Sequence, residues 1–293
     1  MKLYTVCLVF TFLQFYVMLS AINTECMYVV DVPVVSIMSR PAGIPTPADD
    51  IAVFSRFNRL MRGQMFTIPV EQRNPLRCTQ LLRGDLVRVL QKNGSWYLVR
   101  SSEQYIYAKD IKTYIEGWVP VYAIKQQQEK SQRLISHAIG HNEQAARKKI
   151  ISFMRHAIGN SYVWGGRSLG KRKVHGEVVG PDCSGLVGLA YKKAGMSIPR
   201  NAQSMRHEAR VVRCGADLQA GDLIFFAHPD NKNSITHVVA YSGNDSVIES
   251  KVPEGVVETA CKKRFGMSMR DMRSGELYMK PARRLYFGTF FNT

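Results

Sequence analysis

At 293 residues, with 45% hydrophobic and 22% charged side chains, the chain has room for two domains and the composition of a folded globular protein. A peptide hormone, a disulfide-stapled miniprotein and a disordered or collagenous chain are excluded. Forty Lys and Arg against 23 Asp and Glu leave a net charge of +17, a field that gathers polyanions such as nucleic acid, anionic lipid or anionic cell-wall polymer. Residues 3–21 carry no charged side chain behind Lys2, the layout of a secretory signal peptide and almost the length needed to span a bilayer. Leu19 fits the small-x-small rule poorly, so no cleavage point follows from the sequence. Residues 1–25 are therefore read as a signal peptide or membrane anchor. The protein is expected to be exported, to the periplasm or cell envelope or outside the cell, and to stay membrane-attached if the segment is uncleaved. Cys7, Cys26, Cys78, Cys183, Cys214 and Cys261 form no C-x-x-C pair and no zinc spacing, so neither a structural metal nor a disulfide framework is expected. Removal of Cys7 on export leaves five cysteines, and an odd count leaves at least one thiol without a partner in the chain.

Residues 81–100 consist of short β-rich runs broken by Gly, Asn and Ser turns, and 117–121 continue the pattern. Gly84-Asp85-x-Val87-x-Val89, Gly94-x-Trp96-Tyr97-x-Val99 and Gly117-Trp118-Val119 resemble the bacterial SH3-like domain. That resemblance implies a small all-β barrel over 26–125, with further strands from 27–38 and 64–70 and a long loop with a helical piece at 42–57. The alternation alone fits an anonymous β-barrel with core aromatics equally well.

A polar linker or helix occupies 126–142, and the apolar spacing Ile150, Ile151, Met154, Ile158 marks the first helix of a second domain, 143–293. His137 and His141 lie four apart, but no Glu completes an H-E-x-x-H pattern, so they read as solvated helix residues. Lys and Arg total eleven over 125–173, against only Glu129 and Glu143; the basic 167–179 loop either lines a cleft or is solvated surface.

Pro181-Asp182-Cys183-Ser184-Gly185-Leu186-Val187 opens a helical stretch ending at Gly195, with Asp182 or Ser184 as its cap. A cysteine there meets the positive end of the helix dipole and unpaired N–H groups, which favour a thiolate. Residues 221–226 and 235–243 read as two strands, with His237 opening the second. One imidazole beside a helix-terminal thiol can take its proton and return it to a leaving amine. Alone, either residue is more often structural: a small buried cysteine, a hydrogen-bonded histidine.

Five separated motifs now agree: Tyr162-x-Trp164-Gly165-Gly166, Asp182-Cys183-Ser184-Gly185-Leu186, Ile198-Pro199-Arg200, Gly221-Asp222-Leu223-Ile224-Phe225-Phe226 and His237-Val238-x-x-Tyr241-x-Gly243. In order and spacing they resemble the NlpC/P60 cysteine peptidases. The resemblance implies an α+β, papain-like catalytic domain behind the β-barrel. It implies no cofactor, and cleavage of peptidoglycan stem peptides between D-glutamate and a diamino acid. Cys183 takes the nucleophile position and His237 that of the general base. The family usually carries a His, or another polar residue such as Asn or Gln, about one strand later, and in this chain Glu249 stands there. A two-residue Gly243-Asn244 turn would set Ser250 on the face of His237, and a three-residue Gly243-Asn244-Asp245 loop would set Glu249 there. Glu249 is the expected third residue, orienting the imidazole and stabilising its charge.

Relatives with an SH3-like domain often require a free N-terminal L-alanine. The resemblance then assigns Tyr162, Asp182 and Ser184 to substrate and oxyanion contacts, with Asp182 serving also as helix cap. A cell-wall-binding module of the same fold, its catalysis weakened by the altered third residue, is the alternative. Specific nucleic-acid binding is not expected, because no recognised motif accompanies the charge.

Overall fold

A computed structural model describes residues 27–41, 76–127, 142–170, 173–174, 176–279 and 282–291. The 3–21 segment, Cys7, Cys26, the 42–57 loop, the 64–70 strand, His137, His141 and Lys171-Arg172 fall outside them.

Seven short strands build an antiparallel sheet: β1 (Met27–Val30), β2 (Val34–Met38), β3 (Arg77–Leu82), β4 (Leu86–Asn93), β5 (Trp96–Ala108), β6 (Ile111–Pro120) and β7 (Ile124–Gln126), in the order β3-β2-β6-β5-β4-β1-β7. Alternation at Val87 and Val89, with Val99 opposite, turns β-branched side chains inward onto Val35, Ile37, Leu81 and Val119, and these form one core. Gly117 lets β6 press against β2, since a Cβ there would lie 2.5 Å from the Met38 carbonyl oxygen. Residues 27–38, expected as one apolar run, form two strands, with Asp31, Val32 and Pro33 between them.

The second half is α+β. Helix α1 (Glu143–His156) is capped by Asn142, whose side chain accepts from the Ala145 N–H. It buries Ile150, Ile151 and Met154, while Ile158 lies beyond its end and is exposed. Helices α2 (Cys183–Lys193) and α3 (Ala202–Glu208) pack with it on one face of a second antiparallel sheet. That sheet contains β8 (Arg210–Val212), β9 (Leu223–His228), β10 (Asn231–Gly243), β11 (Ser246–Lys251), β12 (Gly255–Ala260), β13 (Leu277–Tyr278) and β14 (Arg283–Thr289). Its order is β12-β11-β10-β9-β14-β13, with β8 on β14. Successive β9 residues serve opposite cores: Leu223 and Phe225 face the three helices, while Ile224 and Phe226 face a second cluster with Cys261 and Phe265 of the short α4 (Cys261–Phe265).

Buried polar contacts fasten the two sheets together. Asp85, on the turn into β4, pairs with Arg167 at 2.7 Å and Lys192 at 2.9 Å. Glu177 accepts from the Ser36 N–H at 2.8 Å and hydroxyl at 2.7 Å. Gln80 donates to the Val178 carbonyl and accepts from the Arg167 N–H and the Ser168 hydroxyl. Arg167, Ser168, Glu177 and Val178 thus strap the 167–179 loop onto the first sheet, Arg167 also lines the cavity between the sheets, and Lys173 is exposed. Among the described residues no helix is long and apolar enough to cross a membrane.

Candidate active site

Cys183 is the first residue of α2, and Asp182 caps that helix by accepting the Gly185 N–H at 2.6 Å. The first-turn N–H groups of a helix have no partner within it, so those beside Cys183 point their partial positive charge at the site.

His237 does not open its strand: β10 begins at Asn231, and register shifts between Asn231 and His237 break the ladder before His237 pairs with Phe226. Such irregularities re-aim side chains. At the strand's far end Asn244 and Asp245, with φ of 50° and 54°, make a two-residue turn that closes the pair Gly243 and Ser246, and the register shifts between Tyr241 and Gly243. Neither expected turn forms as such. The irregularity nevertheless restores the parity of a three-residue loop, and Glu249 falls on the face of His237. Ser250, of opposite parity, donates its hydroxyl to the Pro181 carbonyl at 2.7 Å.

The structure brings Cys183, His237 and Glu249 together. His237 Nε2 lies 2.7 Å from Glu249 Oε2, and Cys183 stands near enough to the imidazole to favour its charged form. Glu249 is buried and accepts a fork from Arg264, with Nε to Oε1 at 2.6 Å and Nη2 to Oε2 at 3.0 Å. Burial works against charge on His237, but Cys183 and then Glu249 outweigh it and lift the imidazole to about 9. Burial likewise disfavours the Glu249 carboxylate, and His237 and Arg264 together hold it down to about 2. The pair is therefore ionised at neutral pH.

The expected substrate contacts lie beside the thiol. Tyr162 is buried; its phenol is raised well above its ordinary value by burial, then by Cys183 and Asp182, and so remains a neutral O–H donor. Asp182 is held by Arg200, for which no role was expected. Arg200 donates to Asp182 Oδ2 at 2.9 Å and Oδ1 at 3.1 Å, to the Ser184 hydroxyl at 3.0 Å and, across the sheet junction, to Thr79 at 2.7 Å. The Ser184 hydroxyl donates in turn to Asp182 at 3.2 Å. Arg200 belongs to the Ile198-Pro199-Arg200 motif, whereas Arg264 belongs to none of the five motifs.

A cavity of about 790 Å³ opens between the sheets, lined in part by Tyr105, Lys112, Arg167, Ser184, Lys192 and Arg200. Cys183, His237 and Glu249 are not among its lining residues, and it adjoins them through Ser184 and Arg200. The thiol, imidazole and carboxylate thus lie beside the cavity and not within it. Among the described residues no group of three His, Cys, Asp or Glu side chains is placed to hold a metal.

Comparison with known proteins bears directly on this half of the chain, since the family profile described as "NlpC/P60 family" matches residues 159–275. That segment is an NlpC/P60 domain. Over 101 residues the chain is 38% identical to a gamma-D-glutamyl-L-lysine dipeptidyl-peptidase of Bacillus cereus, covering 34% of this chain and 27% of that one. Over 92 residues it is 38% identical to the bifunctional muramidase/DL-endopeptidase CwlT of Bacillus subtilis, covering 31% and 25%. Over 115 residues it is 35% identical to the peptidoglycan endopeptidase RipB of Mycobacterium tuberculosis, covering 38% and 46%. The aligned parts thus span roughly a quarter to a half of these relatives. The crystal structure of an NlpC/P60 family protein from Bacillus cereus superposes with a TM-score of 0.51 at 18% identity, over 88% of this chain and 98% of that one. At that identity the likeness speaks for the fold, which joins the NlpC/P60 domain to the strands before it.

Proposed function

We propose that the protein is an exported cysteine peptidase that hydrolyses peptidoglycan stem peptides between D-glutamate and the diamino acid, with preference for a free N-terminal L-alanine. The observation that carries the reading is the chain of contacts from the helix-terminal Cys183 through His237 to the ionised, buried Glu249. The NlpC/P60 match and the peptidoglycan-acting relatives support the substrate class. The net charge of +17 favours an anionic polymer.

In this reading the Cys183 proton passes to His237, and the thiolate attacks the D-glutamyl carbonyl carbon. The developing oxyanion is met by first-turn N–H groups of α2 and by the neutral Tyr162 hydroxyl. The tetrahedral adduct collapses, the C–N bond breaks, and the imidazolium protonates the departing amine. Water then gives a proton to His237 and its oxygen to the thioester; collapse releases the acid, and Cys183 recovers its proton. Glu249 holds the imidazole in place and stabilises its cation throughout. Asp182 reaches the L-alanine ammonium through Oδ2, whose described partner is Arg200. A first-sheet SH3-like domain would complete the cleft from the other side.

Mass spectrometry of defined muropeptides, with the L-alanine amine free or blocked, tests this. Cleavage after D-glutamate is expected with wild type and absent with Cys183→Ala. No cleavage by folded wild type would replace this reading with that of a cell-wall-binding module.

A further inference from the structure

We propose that Arg264 is a positioning residue for the reactive pair: it holds Glu249 as a carboxylate and points its Oε2 at His237. The inference rests on the peptidase reading and extends the chain of contacts to a fourth member, Cys183–His237–Glu249–Arg264.

The geometry is specific. Arg264 meets both oxygens of Glu249 as a planar fork, and Oε2 is shared between Arg264 at 3.0 Å and His237 at 2.7 Å. A carboxylate that bridges a fork and an imidazole can neither rotate nor drift from either. The guanidinium is itself held over the Phe226 ring, 4.9 Å from its centroid, and 5.8 Å from that of Phe265. Phe226 also packs edge-on against the His237 ring at 5.2 Å, so one aromatic side chain positions the imidazole and the arginine together.

There is also an electrostatic reason for the cation. The Glu249 side chain is fully buried, and an isolated carboxyl in such a place takes up a proton. A protonated Glu249 would no longer stabilise the imidazolium. The charged and titratable groups facing the pair are Cys183 from α2 and Arg264 from α4. Tyr162, Asp182 and Arg200 stand beyond Cys183, and Lys251, on the same face of β11, is paired with Glu254 at 3.1 Å. Arg264 is therefore the cation that keeps Glu249 ionised when His237 is neutral, as it is once the imidazolium has given its proton to the departing amine.

The test compares wild type, Arg264→Met and Arg264→Lys in two assays from about pH 4 to about pH 10, a span covering the ordinary carboxyl and thiol ranges. One assay is muropeptide cleavage; the other is alkylation of Cys183 by iodoacetamide, followed at its own peptide by mass mapping. Arg264→Met, which keeps the stem over Phe226, is expected to lose about 10–100-fold in both rates, as when an outer-shell partner of a reactive group is removed. KM should change by less than about 3-fold, and the loss should deepen as pH falls through the ordinary carboxyl range, because the unpaired Glu249 protonates. Arg264→Lys keeps the charge without the fork, so it should lose rate and keep the wild-type pH profile. A Met variant with wild-type rates, or with a loss equal at every pH, overturns the proposal. Should that variant fail to fold, the Lys variant decides: wild-type rates in it overturn the role of the fork. Alkylation needs no substrate, so if wild type cleaves no muropeptide the peptidase reading fails and the alkylation profiles alone decide Arg264.

Discussion

Replacing Glu249 with glutamine keeps the shape of the side chain and removes its charge, leaving His237 facing a neutral amide. In the folded protein His237 stands at about 9 against an ordinary 6.5, which corresponds to about 3 kcal/mol favouring the imidazolium. Glu249 stands at about 2 against 4.5, again about 3 kcal/mol. Both displacements report the same contact in part, with Cys183 adding to one and Arg264 to the other, so about 3 kcal/mol is counted once and is an upper bound for the carboxylate. Glu249→Gln is therefore expected to lower kcat/KM by about 100-fold at neutral pH, with KM within about 3-fold. The alkaline limit of activity should fall from about 9 toward 6.5. Folding stability should drop by about 3–5 kcal/mol, the usual result of stripping one partner from a buried pair, since Arg264 loses its carboxylate. The assays are muropeptide cleavage across pH and denaturant unfolding. Activity within about 3-fold of wild type, with an unmoved alkaline limit, would refute the reasoning.

Other consequences can be checked in parallel. Because His237 is raised, its contribution to stability is complete below 6.5 and disappears as pH climbs through about 9; because Glu249 is lowered, its contribution is complete above 4.5 and disappears as pH falls through about 2. The Tm attributable to this pair should thus be greatest between 4.5 and 6.5, and Glu249→Gln should flatten both limbs of a Tm-against-pH curve. Asp85→Asn leaves the buried Arg167 and the Lys192 ammonium without their shared carboxylate, and a cost of about 3–5 kcal/mol in denaturant unfolding is expected; a change below about 1 kcal/mol would contradict a buried network. Gly185→Ala sets helix propensity, worth about 1 kcal/mol in its favour, against a Cβ placed 2.1 Å from the Gly166 carbonyl oxygen. The clash should win by about 1–3 kcal/mol, and a stabilised variant would show that the segments have room to separate.

The residues of the site were legible to different degrees for identifiable reasons. Cys183 and Asp182 were readable because a helix start is a local event: a capping carboxylate followed by small and apolar residues suffices. His237 was readable as a strand residue, but not its position along the strand, because β10 contains irregularities that pairing with β9 absorbs and no local pattern announces. Glu249 and Ser250 differ by one residue and so by a whole face of the sheet. The choice between them turned on a shift between Tyr241 and Gly243 that depends on how the hairpin packs. Arg264 was not legible at all, since its role comes from α4 folding back beneath β11, fifteen residues after the side chain that it holds.

The sequence by itself determined the α+β character of the second half, the strand-rich character of the first, the helix that presents Cys183 and the alternation that fills both cores. These depend on periodicity and on short-range capping, which a few neighbouring residues specify. Only the tertiary structure decided which carboxylate meets the imidazole, which arginine holds it, and how Asp182, Arg200 and Thr79 join the two sheets beside the thiol. Those contacts link residues from 12 to 121 positions apart. Charged groups of this kind are stable out of water only when paired, so their identity follows from the packing that buries them and not from the residues beside them in the chain.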